Sequence, residues 1–234
     1  MKKRIIVILV LTILAGASLY ISTFRLTDIQ VSGCNVVDEQ IIIDAVRDTG
    51  YAKNTIWLYL GNKIKPIENI PFVAKIEIEY ISKNKVAVTV YEKSIAGCVE
   101  YMDSYIFFDK DGIVLDSARK PIDGIPCIRG MEFSQWEKGS NLPVKDESKF
   151  QSILTITQLI EKYKLDIDDI KFTTENEMIL MHGNITIELG EGEYLAVQMM
   201  NLGSILNRLS GMEGTLHMKD FDSDNATASF SPKR

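Results

Sequence analysis

The sequence predicts an α+β protein with one membrane-spanning helix at its N-terminus and two small domains after it. Three observations support this prediction. A charge-free, mostly apolar run extends from Ile5 to Ile21. The next segments have the order strand, helix, helix, strand, strand, and residues 94–221 then combine short strand-like segments with two longer helical ones. We expect a mixed α/β domain with a largely antiparallel sheet in this last part.

The apolar run is long enough to cross a membrane once. At about 1.5 Å per residue it reaches about 26 Å, close to the ~30 Å hydrocarbon core, and the uncharged flank through Phe24 extends it. We therefore predict a cytoplasmic tail at residues 1–4, whose three cations keep it inside, and a transmembrane helix at residues 5–24. The expected membrane-anchor residues are Ile5, Ile8, Leu11, Leu14 and Leu19.

A cleaved signal peptide is the alternative interpretation of this run. Ala15-Gly16-Ala17 has the small-x-small pattern that signal peptidase accepts. Cleavage there leaves Leu19, Tyr20 and Ile21 at a new terminus, whereas retention uses them to complete the span. Retention is the simpler account, and the body lies outside the membrane in both cases.

The body is acidic. All 32 Asp and Glu lie from Asp28 onward, together with 22 of the 26 Lys and Arg, which leaves this part of the chain at −10. Nucleic acid is therefore excluded as a partner, because binding a polyanion needs clustered cations. The length of the body suits two small domains, each with its own core.

The cysteines and histidines predict neither a metal site nor a cofactor. Cys34, Cys98 and Cys127 are an odd number, so they cannot all pair within the chain. A bridge between Cys98 and Cys127 is possible, but three small buried apolar residues are the simpler expectation. Without a Cys-x-x-Cys pattern, and with only His182 and His217, a zinc cluster lacks ligands.

The first domain begins with a short strand from Leu26 to Val31, and a turn at Ser32-Gly33 ends this strand. A helix over 39–48 follows, capped by Asp38, and a second one runs from Thr55 to Ile64, capped by Asn54 or Thr55 itself. Apolar and polar residues then alternate over 73–80, and again from 86 to Glu92-Lys93, with a turn of the chain at 82–85 between them. This pattern predicts an antiparallel pair of strands.

The second domain opens with strands over 95–101 and 105–108 and a turn at Asp109–Gly112, which lacks the acids of a calcium loop. The remaining elements are helices over 147–164 and 194–209, strands over 170–173, 178–181, 185–189 and 214–221, and an irregular C-terminal tail over 222–234.

The first domain resembles the polypeptide-transport-associated (POTRA) domain of the FtsQ/DivIB bacterial cell-division family. The resemblance rests on the single N-terminal span, on Val31-x-Gly33, on Pro71-x-Val73-x-x-Ile76-x-Ile78 and on Val90-x-Glu92-Lys93. It implies a POTRA-like β-α-α-β-β domain at residues 25–93. The hairpin Phe107-Phe108-Asp109-x-x-Gly112-x-Val114-Leu115 is similar to the start of the family's β domain, which the resemblance places at residues 94–221.

The resemblance also implies where partners bind. The family's terminal strand commonly reads Asp-Leu-Arg-Tyr, and this chain has His217-Met218-Lys219-Asp220-Phe221 there. In the family, that strand and its neighbours bind the small division proteins FtsL and FtsB or DivIC. Lys219, Phe221 and Ser223 inherit the partner-binding role by this resemblance.

The sequence offers poor material for catalysis. Gly-x-Ser-x-Gly, His-Glu-x-x-His and a phosphate-binding Gly-rich loop are absent. The resemblance implies a non-enzymatic divisome scaffold in the cell membrane at the division septum, where it works with the septal peptidoglycan synthase complex. Two alternatives remain: a POTRA-bearing export or assembly factor, and a cell-wall thiol hydrolase that uses Cys98 or Cys127 with His182.

Overall fold

The computed structural model describes residues 2–173, 175–221 and 227–233, and the chain divides into two compact units, Met1–Lys93 and Ser94–Arg234. The predicted mixed α+β class is confirmed. The first unit contains α1 Lys2–Ser22, β1 Asp28–Ser32, α2 Glu39–Arg47, α3 Thr55–Ile64, β2 Val73–Ser82 and β3 Lys85–Glu92.

Helix α1 is the predicted membrane anchor. Its stretch Lys3–Ser22 is long and apolar enough to cross a membrane. The side chains of the five predicted anchor residues are all exposed, between 59% and 72%, so the protein itself does not cover them. Such a surface is stable in contact with lipid acyl chains and unfavourable in water. The five are Ile5, Ile8, Leu11, Leu14 and Leu19.

The first unit has a three-stranded sheet in the order β1-β3-β2. Strand β1 runs parallel to β3, and β2 runs antiparallel to it. Both predicted helix caps are present: the Asp38 side chain accepts a hydrogen bond from the amide of Gln40, and Asn54 accepts bonds from the amides of Ile56 and Trp57. The core of this unit combines the buried sides of helices and strands, among them Ile42, Val46, Leu58, Ile76, Ile78, Val86, Val88 and Val90.

The residues of the POTRA pattern meet one another in this unit. Gly33 has φ +85°, and a Cβ there would lie 2.3 Å from the carbonyl oxygen of Val90. Glu92 Oε1 accepts hydrogen bonds from the amides of Asn35, Val36 and Val37, at 2.9, 2.9 and 2.8 Å. Burial alone raises the pKa of Glu92, but these hydrogen bonds outweigh it and hold the pKa below the usual 4.5. The pattern therefore fixes the turn after β1 against the end of β3.

The second unit contains two helices and nine described strands. Its sheet has the order β12-β11-β10-β9-β8-β7-β4-β5-β6, and five of the eight described neighbouring pairs are antiparallel. The elements are β4 Gly97–Tyr101, β5 Ser104–Phe108, β6 Val114–Ala118, β7 Cys127–Arg129, α4 Glu147–Tyr163, β8 Asp169–Phe172, β9 Met178–His182, β10 Ile185–Gly190, α5 Leu195–Arg208, β11 Gly214–His217 and β12 Ser229–Pro232. Apolar residues of α4, α5 and the strands form one continuous core.

The cysteines depart from the expectation of three unpaired residues. Cys98 of β4 and Cys127 of β7 lie opposite each other in a parallel strand pair, with their Cα atoms 4.7 Å apart, and their sulfur atoms are bonded. Cys34 is free and half-buried. The expectation was wrong for the pair because β4 and β7 are neighbours only in space, with two strands between them along the chain.

The C-terminal region also departs from expectation. Strand β11 ends at His217, not near Phe221, because the chain turns there with a hydrogen bond from the amide of Phe221 to the carbonyl of Met218. A further strand, β12, lies within the segment expected to be irregular. Its sequence Ser-Phe-Ser-Pro has one strongly apolar residue, Phe230, which is too little for a periodic signal. Phe230 lies opposite Leu216 of β11.

We predict that Gly33→Ala destabilises the first unit by about 2–4 kcal/mol, because the new methyl group meets the Val90 carbonyl at a positive φ. Hydrogen exchange of the β3 amides in the full chain measures this loss. Gly50→Ala is the matched control, since a Cβ at Gly50 has nothing within 4 Å. Equal protection in both variants contradicts the prediction.

We predict that Glu92→Gln costs about 1–2 kcal/mol at pH 7, since it weakens three charge-assisted hydrogen bonds. The folded-state pKa of Glu92 is lowered, so its contribution is complete above 4.5 and disappears as the pH falls through the folded-state value. The stability difference between wild type and variant should therefore narrow in acid. Unfolding in urea from pH 7 to pH 3 measures this difference, with Glu68→Gln at an exposed position as the control. A stability difference that grows in acid contradicts the lowered pKa of Glu92.

We predict that the chain, isolated and denatured without reductant, reacts with a thiol-alkylating reagent at Cys34 alone, and that Cys98 and Cys127 react after reduction. Mass spectrometry of the peptides reads this directly. Reduction should also lower the free energy of unfolding by about 3–4 kcal/mol, the range expected for a loop of this length. Full labelling before reduction rules the bond out.

Candidate partner-binding edge

The sheet of the second unit has two edge strands, and they differ in how far they are covered. At the start of β6, the loop over 139–142 lies alongside: the amide of Val114 donates to the carbonyl of Ser140 at 2.9 Å, and the amide of Gly139 donates to the carbonyl of Val114 at 2.8 Å. Strand β12 is the outermost strand at the other end, and no further strand of the described chain pairs with it. It is therefore the more open edge.

The register of β12 shows which main-chain groups point outward. The amide of Lys233 donates to the carbonyl of Glu213 at 2.8 Å. Successive residues of a strand turn these groups to opposite sides, so Ser231 and Ser229 also turn theirs to β11, while Phe230 and Pro232 turn theirs away. Pro232 has no N–H to offer. An added strand therefore finds one donor and one acceptor at Phe230 and a second acceptor at Pro232.

An apolar groove of about 410 Å³ lies beside this edge. Leu216, Phe221 and Phe230 line it from the sheet side, and Ile205 of α5 and Leu209, the residue after α5, line it from the other side. Ser204 and Arg208, both exposed, supply polar groups to the lining. A strand added to β12 projects alternate side chains to one face, so the groove can receive the apolar ones.

A buried glutamine supports the turn that carries Phe221. The Nε2 of Gln198 donates to the carbonyls of Leu189, at 3.0 Å, and Met218, at 2.6 Å. It ties α5 to the ends of β10 and β11, and it is fully buried. Gln198 is not among the residues predicted to matter from the sequence. The available signal was its spacing, because Gln198 lies four residues before Leu202 on the apolar stripe of α5.

His217 connects three strands at the edge. Its Nδ1 lies 2.8 Å from Glu188 Oε2 on β10, and its Nε2 lies 3.1 Å from Ser231 Oγ on β12. The resemblance described above predicts an aspartate at this position, and the chain has His217. In this chain, it adds a side-chain bridge to the main-chain bonds that attach β12.

Of the three residues expected to bind partners, the structure describes Lys219 and Phe221 and separates them. Phe221 is buried and lines the groove. Lys219 does not line it: its ammonium lies 2.6 Å from Glu177 Oε2, a hydrogen bond that raises the pKa of Lys219. Its side chain also packs near Gly190, at the end of β10. Ser223 lies outside the described residues.

The thiol-hydrolase alternative lacks its nucleophile. Cys98 and Cys127 are bonded to each other, so neither is a free thiol that His182 could activate. Cys34 is a poor candidate, because partial burial and then the charges of Glu92, Glu39 and Asp38 raise the pKa of its thiol. Within residues 2–173, 175–221 and 227–233, no group of three His, Cys, Asp or Glu could hold a metal ion.

Comparison with protein families gives one match. Residues 24–93 match the family described as POTRA domain, FtsQ-type. The match covers the strand, helices and hairpin of the first unit, including the contacts of Gly33 and Glu92 described above. No curated protein matches the chain. The chain thus carries an FtsQ-type POTRA domain next to its apolar N-terminal helix, and this supports its assignment to the FtsQ/DivIB family.

Proposed function

We propose that this chain is a non-enzymatic scaffold of bacterial cell division, which binds FtsL- and FtsB/DivIC-like proteins outside the membrane and helps to control septal peptidoglycan synthesis. The observation that carries the proposal is the open β12 edge beside an apolar groove, in a chain with an FtsQ-type POTRA domain. An edge and a groove are what a binding protein needs, and a main-chain edge requires no catalytic group.

The partner adds to the sheet as an extended segment. Its main chain bonds to Phe230 and Pro232, and its apolar side chains enter the groove over Phe221. Phe221 then contributes to binding as part of the groove surface beneath the added segment. The roles of Lys219 and Ser223 stay predictions; Lys219 already holds Glu177, so we expect it to matter less than the groove.

The proposed location is the cell membrane at the division septum. The N-terminus lies in the cytoplasm, because Lys3 and Arg4 stand before the apolar run with no acid beside them, and the body lies outside. There the body joins the septal peptidoglycan synthase complex. Its charge of −10 fits protein partners and disfavours nucleic acid.

We predict that Ala228→Asp weakens partner binding at least tenfold, which corresponds to about 1.4 kcal/mol. Ala228 lines the groove, so a carboxylate there loses water when a partner covers it. The measurement is binding of the full chain in nanodiscs to the FtsL- and FtsB/DivIC-like partners of the same organism. Asn207→Asp is the control, because Asn207 is exposed on α5 and outside the groove lining.

Hydrogen exchange and complementation in cells test the same proposal in two further ways. The partner should slow hydrogen exchange of the Phe230 amide, which points outward, while the Ser231 amide keeps the protection it has in the free protein. In cells depleted of the native copy, Asn207→Asp should restore normal septa, and Ala228→Asp should leave filaments. Full binding by Ala228→Asp refutes the edge; uniform envelope localisation with normal septa after depletion, together with copurification with a translocation pore, favours the export alternative.

A further inference from the structure

Helix α3 is apolar on the side that faces away from its own domain. Thr55, Leu58 and Asn62, spaced three and four residues apart, are buried. The opposite side has the same spacing and consists of Trp57, Leu60 and Ile64, which are 55%, 41% and 85% exposed. A helix on the surface of a water-soluble domain normally carries polar residues there. This face therefore fits a less polar environment than water.

The first turn of α3 is bonded to the outer end of the membrane anchor. The side-chain amide of Asn54 donates to the carbonyl of Ile21 at 2.8 Å, and the amide of Thr55 donates to the carbonyl of Phe24 at 3.1 Å. Both acceptors lie where the apolar run of α1 ends. Helix α3 therefore begins at the depth at which the chain leaves the membrane.

Aromatic residues surround this junction. The rings of Tyr20 and Phe24 are 5.3 Å apart, and those of Phe24 and Tyr80 are 6.4 Å apart. The ammonium of Lys83 lies 5.6 Å from the centre of the Phe24 ring. A groove of about 750 Å³ continues from Phe24 and Tyr80 to Leu60 of α3. Tyrosine and tryptophan beside lysine are typical of the headgroup layer of a bilayer.

The local charge has the opposite sign to that of the body. Residues 49–67 contain Lys53, Lys63 and Lys65 and no acid, within a body of net charge −10. Glu79 is the one acid among the residues that line the groove. A cationic strip that carries exposed apolar side chains matches an anionic membrane surface, where lysines meet headgroups and apolar side chains enter the acyl boundary.

We propose that Trp57, Leu60 and Ile64, which we term the α3 face, rest in the headgroup layer of the same anionic membrane that holds α1. The occupant is lipid and not a second copy or a partner helix, because the bonds from Asn54 and Thr55 already hold the face at the membrane surface. An intramolecular contact of this kind forms at high effective concentration and needs little intrinsic affinity. The proposal depends on the anchor and not on the division role.

The test uses the full chain with Trp136→Phe, so that Trp57 is the single tryptophan. The protein is reconstituted in phosphatidylglycerol-containing vesicles whose acyl chains are brominated near the headgroup. We expect at least twofold quenching of Trp57 and a blue-shifted emission. The complementary Trp57→Phe chain, which reports from Trp136, serves as the matched reference, and we expect little quenching there because Trp136 packs against the core of the second unit.

Charged substitutions then identify the contact. The double variant Leu60→Glu/Ile64→Glu should abolish the quenching of Trp57. The control Ile41→Glu should leave the quenching intact, because Ile41 is 47% exposed on α2 and lies outside the α3 face. Hydrogen exchange of β3 amides verifies that each variant is folded. Unquenched Trp57 in these vesicles overturns the proposal, as does quenching that survives both charges. Trp57 shielded only in cross-linked dimers assigns the face to a second copy and also overturns it.

Discussion

The outward main chain of β12, with which no strand of the described residues pairs, is the constraint on which the proposed function depends. Backbone N–H and C=O groups bind water or another chain when a sheet ends, and a sheet edge with apolar surface beside it favours another chain. An open edge can also pair with unrelated extended segments. Strand β12 limits such pairing by its length of four residues and by Pro232, which removes a donor. A short edge offers few main-chain bonds, so a segment binds well only when its side chains also fit the groove. Selectivity therefore comes from the groove, and the main chain supplies attachment.

The edge is held by interactions that reach back into the core. Gln198 binds the carbonyls at the ends of β10 and β11, and His217 contacts both Glu188 and Ser231. Because these side chains join α5, β10, β11 and β12, a substitution at either position acts on the edge without touching a partner. The buried Phe221 belongs to the same support. Its place in the family pattern is consistent with packing beneath the edge as well as with direct contact.

Sequence patterns predicted local elements well because local interactions determine them. Asp38 and Asn54 cap their helices as expected, and alternation predicted β2 and β3. The disulfide was given only as the alternative to unpaired cysteines, because the neighbouring position of Cys98 and Cys127 arises only when β7 inserts beside β4. Strand β12 was missed since it forms by pairing with β11, not by its own propensity. Lys219 and Phe221 were assigned together because the family resemblance put both on one terminal strand, whereas β11 ends at His217 and only Phe221 lines the groove.

The charge distribution favours contact between α3 and an anionic membrane. A body of net charge −10 is repelled by an anionic bilayer, and this repulsion acts over a Debye length of about 8 Å at physiological salt. Residues 49–67 are the exception, with three lysines and no acid. The rest of the first unit supplies the nine acids found in residues 26–93, so the attraction to an anionic surface is concentrated at this strip. The acidic composition that disfavours membrane binding by the body as a whole therefore makes the contact at α3 more specific.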